Sequence, residues 1–528
     1  MAAIITDLLR VKNAKSFIDK IRDPSNSYYT FIGLPNSTEV VDSWNTSPPA
    51  PRDCFDDTNF YWDTMVALKK IAADDIRPVV RKLQWASATI YDMYRHDINR
   101  NNLSKPSNKT SLYSSNYFVI NSEFRVYICL NNGIDPENPN GKPSLDEPKF
   151  TDLEPRSAGT SGDGYVWKYL YTISPSDVIK FDSLNFIPLP VDWETNNDYV
   201  TIRNNAETSG QLKTVIITNR GYLVGPPNTT YTRVPIKGDG EGAECTIVIN
   251  NDSKVESVTI SNGGSNYTYA SIDLVGGNVP TGSLSPVFDV IIPPPGGHGY
   301  DVYKELGSTN VLIYSRIENN DQNPDFVTGT SISRIGIIEN PQAYESSTII
   351  SEDRVSSVYA LKLKGLSPNV DDYKSTFFEQ NAFIRQTVGA GITAVGRVVS
   401  YDAQTGILKY WQDRSLVGFN TDGTQKTNPI YGYKLNKFSA TPSAGGTLRI
   451  VGGSKDLYID DGFGSDNTPG ISTVINNKTY YLGQTFIKGV ANPEVQKYSG
   501  TVLYVDNRPS ITRSVNQRED IKVILQFW

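Results

Sequence analysis

Gly162-Asp163-Gly164-Tyr165-Val166-Trp167-Lys168-Tyr169-Leu170-Tyr171 is the stretch on which the fold is read. Two glycines around an aspartate make a tight turn, because glycine tolerates positive φ and aspartate bonds its own backbone. The run that follows has period two. Tyr165, Trp167, Tyr169 and Tyr171 fall on one face of a strand, with Val166, Lys168 and Leu170 on the other. Rings of roughly 150–250 Å² each make that face either the core of a β domain or a surface that docks another protein. The local pattern is compatible with both.

Working outward, the composition of the 528-residue chain agrees with β structure. It holds 31 Tyr, 41 Gly and 31 Pro against 3 Met, a bias toward strands joined by long loops. The length suggests three or four domains. Lys and Arg total 50 and Asp and Glu 57, and the net charge of −7 gives no footprint for nucleic acid or an anionic membrane. Cys54, Cys129 and Cys245 are too few and too scattered for a disulfide framework or a zinc site, as expected in a reducing cytosol. No secretory leader is expected from Met1-Ala2-Ala3-Ile4-Ile5-Thr6-Asp7. No stretch approaches the ~18 apolar residues of a membrane helix. The Asn-x-Ser/Thr triplets at Asn36, Asn228, Asn266 and Asn477 read as by-products of composition.

Residues 7–22 carry Leu8, Val11, Phe17, Ile18 and Ile21 at helical spacing behind Asp7, and the pattern ends at Asp23-Pro24. Residues 28–33 read as a strand, and 47–51 as a stiff connector. A second helix is expected over 58–73 and strands over 79–94. The strands near 117–130 are expected to pair antiparallel with 164–173. After about residue 205, Val215-x-Ile217-x-Asn219 followed by Gly221 and Tyr222 is echoed by Val258-x-Ile260-x-Asn262 followed by Gly263, Gly264 and Tyr267. Tyr231-x-x-Val234-x-Ile236-x-Gly238 is echoed by Tyr269-x-x-Ile272-x-Leu274-x-Gly276. A period of about 40 residues with only two copies is short of a solenoid and reads as one pseudo-symmetric β domain. The expected organisation is a scaffold at 1–205, the pseudo-repeat domain at 206–292, a scaffold return and connector at 293–370, a second inserted β domain at 371–484, and C-terminal strands at 485–528 completing the scaffold. Within it, 395–401 and 407–411 read as a hairpin around Gly406, 301–306 as a short helix, and 521–527 as a strand with a buried face. The fold class is mainly β: a multidomain sandwich or barrel scaffold with a few short helices and small inserted β domains.

Patterns for catalysis do not form. The two histidines, His96 and His298, sit beside no nucleophile motif, and His298 reads as a loop residue bonding backbone groups. Gly159-Thr160-Ser161-Gly162-Asp163 has Asp where a nucleophile elbow needs its second Gly. Gly238-Asp239-Gly240-Glu241-Gly242 lacks a following Gly-Lys-Ser/Thr and carries the wrong sign for phosphate, so it reads as a β-turn. The loop Asp460-Asp461-Gly462-Phe463-Gly464-Ser465-Asp466-Asn467 has Ile471 where a calcium loop needs glutamate. No catalytic, cofactor-binding or metal-ligating residue is nominated.

The C-terminal block Ser499-Gly500-Thr501-Val502-Leu503-Tyr504-Val505-Asp506-Asn507-Arg508-Pro509, leading to Glu519-Asp520-Ile521-Lys522, joins Gly162–Leu170 in a longer pattern. So do Tyr29-Thr30-Phe31-Ile32-Gly33, Trp44, Pro48-Pro49-Ala50-Pro51, Met65-Val66-Ala67-Leu68-Lys69-Lys70-Ile71 and Arg81-x-x-x-Trp85. Together these resemble the baseplate wedge subunits of T4-like contractile-tailed bacteriophages, the gene-eight product family. The resemblance covers roughly 1–205 and 485–528. The middle, 206–484, departs from the shorter form, except that Gly297-His298-Gly299-Tyr300 through Leu306 is similar to the scaffold again.

The resemblance implies a non-enzymatic, cofactor-free structural protein of the tail baseplate, assembled in the host cytoplasm. It implies a homodimer, contacts with the other wedge proteins (products of genes six, seven and ten), and rearrangement on contraction. Neither nucleic acid nor membrane is an expected partner. The alternative is a receptor- or carbohydrate-binding tail protein, acting through loops of the inserted β modules.

Overall fold

The computed structural model describes residues 4–36, 44–206, 211–318, 330–414, 435–441, 448–450, 456–468, 470–471, 474–475, 478–479, 484–514 and 517–527. The chain is mainly β, with several antiparallel sheets and few short helices. Its contacts define two units. The first comprises residues 1–18, 76–313 and 523–528, the second 19–75 and 314–522. No helix among the described residues is long and apolar enough to cross a membrane.

The first unit is built on the aromatic stretch. Strands Phe118–Ile120, Arg125–Asn132 and Tyr165–Thr172 form a three-stranded sheet in that order. Its register opposes Val126 to Tyr171, Tyr127 to Tyr169 and Cys129 to Trp167, the antiparallel pairing expected from sequence. Tyr165, Trp167 and Tyr171 are fully buried, and so is Leu170 on the other face. Trp167 stacks on Tyr165 at 5.3 Å and meets Tyr91 edge-on at 5.9 Å. The buried hydroxyls find acceptors: Tyr165 donates to the Lys142 carbonyl and Tyr171 to that of Pro188. The rings are core, not a docking surface.

The strands expected over 79–94 are a correction. Only Ile76–Arg81 is a strand, pairing with residues 310–313 and with Phe186–Pro188. Beyond it no ladder takes up the backbone. Tyr91, Met93 and Tyr94 instead anchor a loop by burying in the aromatic core. Asp92 holds that loop by accepting from the Ser107 and Asn116 amides.

Residues 212–292 enclose a hydrophobic core of their own, centred on Val234, Ile236, Cys245, Ile247 and Val255. Val255–Ser265, Glu241–Ile249, Thr230–Gly238 and Ala270–Ile272 form one sheet, and Thr214–Asn219 pairs with Val287–Ile291 in a two-stranded ribbon. The second pair of echoed segments lie side by side, with Ile272 opposite Ile236. In the first pair, the Asn219 side chain accepts from the Gly221 amide as Asn262 does from Gly264. Both glycines have positive φ. Gly238–Gly242 spans the turn between two strands of this sheet, as expected.

The second unit holds a five-stranded sheet in the order Arg354–Ser356, Met65–Lys70, Tyr28–Gly33, Ser331–Glu339, Thr501–Thr512. The helix expected over 58–73 is a second correction. Phe55–Thr64 is helical, but Met65–Lys70 is a strand, because its apolar residues are claimed by pairing with Tyr29–Gly33 on one side and Arg354–Ser356 on the other. Tertiary pairing here overrides a helical periodicity.

Arg334 locks this sheet. Fully buried, it donates to the side chains of Asn507, Thr64 and Asn36, and its guanidinium lies over the rings of Tyr61 (4.8 Å) and Trp44 (5.4 Å). Its hydrogen-bond partners among the described residues are neutral, and burial pushes its pKa down to about 10 against a smaller opposing pull from Asp57.

The remaining large sheet closes on itself. Tyr359–Lys364, Asp456–Ile459, Leu448–Ile450, Phe383–Gly389, Ile392–Asp402 and Ile407–Trp411 follow one another, and the last pairs back to the first. Closure removes free edges. The 395–411 hairpin is formed as expected, and the sheet reaches outside 371–484 by taking in Tyr359–Lys364. The C-terminal strand is Arg518–Gln526, an edge strand in which Val523 alone is buried.

Candidate functional site

Lys168 lies on the opposite face of the aromatic strand from the rings, and it is buried. Its ammonium donates to the Leu153 carbonyl at 2.7 Å and to the Asn205 side chain at 2.8 Å. Burial pushes its pKa down to about 8, although Glu305 and Glu154 pull the other way. Beyond it, His298 Nδ1 lies 2.6 Å from Glu305 Oε1, and the other carboxylate oxygen accepts from the Gly299 amide at 2.7 Å. The imidazole meets the Tyr94 ring edge-on at 4.7 Å.

His298 sits in a turn, as the sequence suggested, but its ring bonds the Glu305 carboxylate rather than backbone groups, making it one half of a buried polar pair. A cavity of about 10 Å³, room for one water, is lined by Lys168, Asn205, Gln211, Lys213 and His298. Both Lys168 bonds go to residues that precede the 206–292 body, and the His298–Glu305 pair follows it. The cluster therefore works as a clasp at its two ends rather than as a nucleophile facing a substrate.

A larger cleft of about 360 Å³ opens between the loops around residues 93–105 and 134–139 and the ribbon carrying Ile216, Thr218 and Asp289. That is within the range of small-ligand sites, roughly 300–1,000 Å³. Its floor is apolar (Met93, Leu103, Ile134, Ile216). Its wall is Arg95, which makes two bonds to Asp97 (2.9 and 2.7 Å) and one to Asp289 at 2.5 Å. These residues are scattered over four segments, so no sequence motif could announce the cleft.

The other residues singled out by sequence are structural here. His96 Nδ1 accepts from the Ile292 amide at 3.3 Å. In the 159–163 stretch, Asp163 caps the turn by accepting from the Leu145 and Tyr165 amides, and Ser161 donates its amide to Asp146. Asp239 accepts from the Thr268 side chain and from the amides of Thr268 and Tyr269, and those bonds hold its pKa down at about 2. Asp460 and Asp461 pair with Lys364. Among the described residues no group of three or more His, Cys, Asp or Glu is arranged to hold a metal ion. No protein-family model and no curated protein matches this chain.

Proposed function

We propose that the protein is a structural subunit of a contractile-tail baseplate wedge, acting through contacts with neighbouring wedge chains. One observation carries this reading. The sequence segments that bear the resemblance supply three of the five strands of one sheet and the buried centre of another, while Ser331–Glu339 and Arg354–Ser356 of the first come from the middle of the chain. In the second unit, Tyr28–Gly33, Met65–Lys70 and Thr501–Thr512 come from the two ends of the chain and join one sheet. Trp44 donates its indole N–H to the Arg508 carbonyl at 2.9 Å. In the first unit Tyr165–Thr172 is the buried centre. By contrast, 212–292, which has no counterpart in the resemblance, folds around its own core. Rigid β bodies with separate cores suit a part that is held by several neighbours.

The test is mass by light scattering, for the protein alone and mixed with candidate wedge partners. A dimer that shifts to a stoichiometric complex is the expected result. A trimer indifferent to those partners would overturn it in favour of a fibre or receptor-binding protein.

A further inference from the structure

Lys168 and Asn205 lie 37 residues apart, one on the aromatic strand and the other on the short helix Val200–Ala206 that leads into the 206–292 body. The Lys168 nitrogen is 2.8 Å from Asn205 Oδ1, the atom bonded to the carboxamide carbon. Asn205 is held in turn. Its Nδ2 donates to Glu154 Oε1 at 2.7 Å, and Lys213 donates to the other oxygen of that carboxylate at 3.2 Å. Amine, carboxamide, carboxylate and a second ammonium are thus linked by successive hydrogen bonds. Lys168, Asn205 and Lys213 also line the water-sized cavity described above.

A hydrogen bond between lysine and asparagine is ordinarily inert, because a protonated amine is no nucleophile and an amide resists attack. Two features lower these obstacles here. Lys168 is only 3% exposed, and with its pKa held near 8 about a tenth of it is free amine at pH 7. The reacting groups are also fixed side by side instead of meeting by diffusion, an advantage that can reach an effective concentration of about 10⁵ M or more.

We propose that Lys168 and Asn205 join in an intramolecular isopeptide bond. The neutral Lys168 nitrogen attacks Asn205 Cγ, so that a C–N bond forms and the carboxamide oxygen gains negative charge. Lys213, on the same cavity, is the cation available to offset that charge. Glu154 takes one proton from the Lys168 nitrogen and passes it to Asn205 Nδ2. The Cγ–Nδ2 bond then breaks and ammonia leaves. Nothing is oxidised or reduced and no co-reactant is consumed. The product is a neutral secondary amide, which relieves the chain of a buried charge. It also ties the aromatic strand covalently to the helix at the entrance of the 206–292 body. Until the bond forms, Lys168 titrates as a free amine. The inference goes beyond the baseplate reading and stands or falls independently of it.

The test is the intact mass of purified full-length protein, fresh and after incubation at pH 9, where most of Lys168 is free amine, followed by peptide mapping. A mass lower by one ammonia is expected, with a branched peptide joining Lys168 to Asn205. A mass that keeps the full sequence value overturns the bond. So does a loss of ammonia carried by a linear peptide, the mark of an asparagine succinimide. The side chain of Glu154 is 65% exposed, so Glu154→Gln is expected to melt with the parent and to form the bond at least tenfold more slowly. An unchanged rate overturns the proton relay and the proposal with it.

Discussion

Strands Tyr165–Thr172 and Thr501–Thr512 both mix aromatic or aliphatic residues with charge, and both belong to the resemblance. The first is buried on both faces. The second is the outermost strand of its sheet and half-exposed along most of its length. A strap at 44–49 ties it down: Trp44 donates to the Arg508 carbonyl, Asn507 to the Pro49 carbonyl, and the Ser510 amide to Asn45. One strand is therefore held by the shape of its rings, the other by hydrogen bonds from a loop. Burial is set by what the chain folds over a strand, not by the strand's own composition.

The difference predicts where substitutions hurt. Trp167→Ala should be the most damaging, about 3–5 kcal/mol as for other buried tryptophans. Its indole N–H has no hydrogen-bond partner among the described residues, so the loss is of packing alone. A thermal or urea melt that matches the parent would remove Trp167 from the core.

Next comes Lys168. Its pKa is near 8 in the folded chain and is ordinarily 10.5, so between those values the unfolded chain binds the extra proton. Stability from this group therefore rises with pH from about 8, by up to ~3 kcal/mol by 10, and is flat below 8. Lys168→Met should remove its share of the rise between denaturant melts taken at pH 7.5 and 9.5, leaving that of Lys497, which burial likewise pushes down to about 8, whereas Arg508→Met on the exposed strand should leave the rise unchanged.

Gly164→Ala should cost about 1–3 kcal/mol, because φ is +84 and the new methyl would sit 2.8 Å from the Gly133 Cα. Smallest is Leu503→Ala on the exposed strand, within about 0.5 kcal/mol. A loss as large as that of Gly164→Ala would mean that the strand is covered in solution.

Much of the fold was legible because its signals are local. Alternation marked Tyr165–Thr172, the Gly406 hairpin marked 395–411, and helical spacing marked Asp7–Arg22. The repeat was legible too, down to the paired Asn219 and Asn262 turns. What misled were segments whose partners lie far away in sequence. Met65–Lys70 has helical spacing and becomes a strand only because Tyr28–Gly33 and Arg354–Ser356 flank it. The aromatic spacing around Tyr91 and Tyr94 resembles a strand but serves to pin a loop. The Lys168–Glu305 clasp and the Arg95 cleft were invisible, because both join residues from separate segments and neither leaves a spacing to find.

The order of the five-stranded sheet also sets a schedule for synthesis. Tyr28 bonds Glu339, 311 residues later in the chain, and the strand holding Glu339 is in turn completed by Thr501–Thr512. At about 5–20 residues per second, the first strand waits roughly 15–60 s on the ribosome for its partner. During that wait Tyr28–Gly33 and Met65–Lys70 can pair only with each other, as a two-stranded ribbon that is marginal by itself. A nascent chain halted before residue 331 should therefore be the most chaperone-dependent stage in the making of this protein.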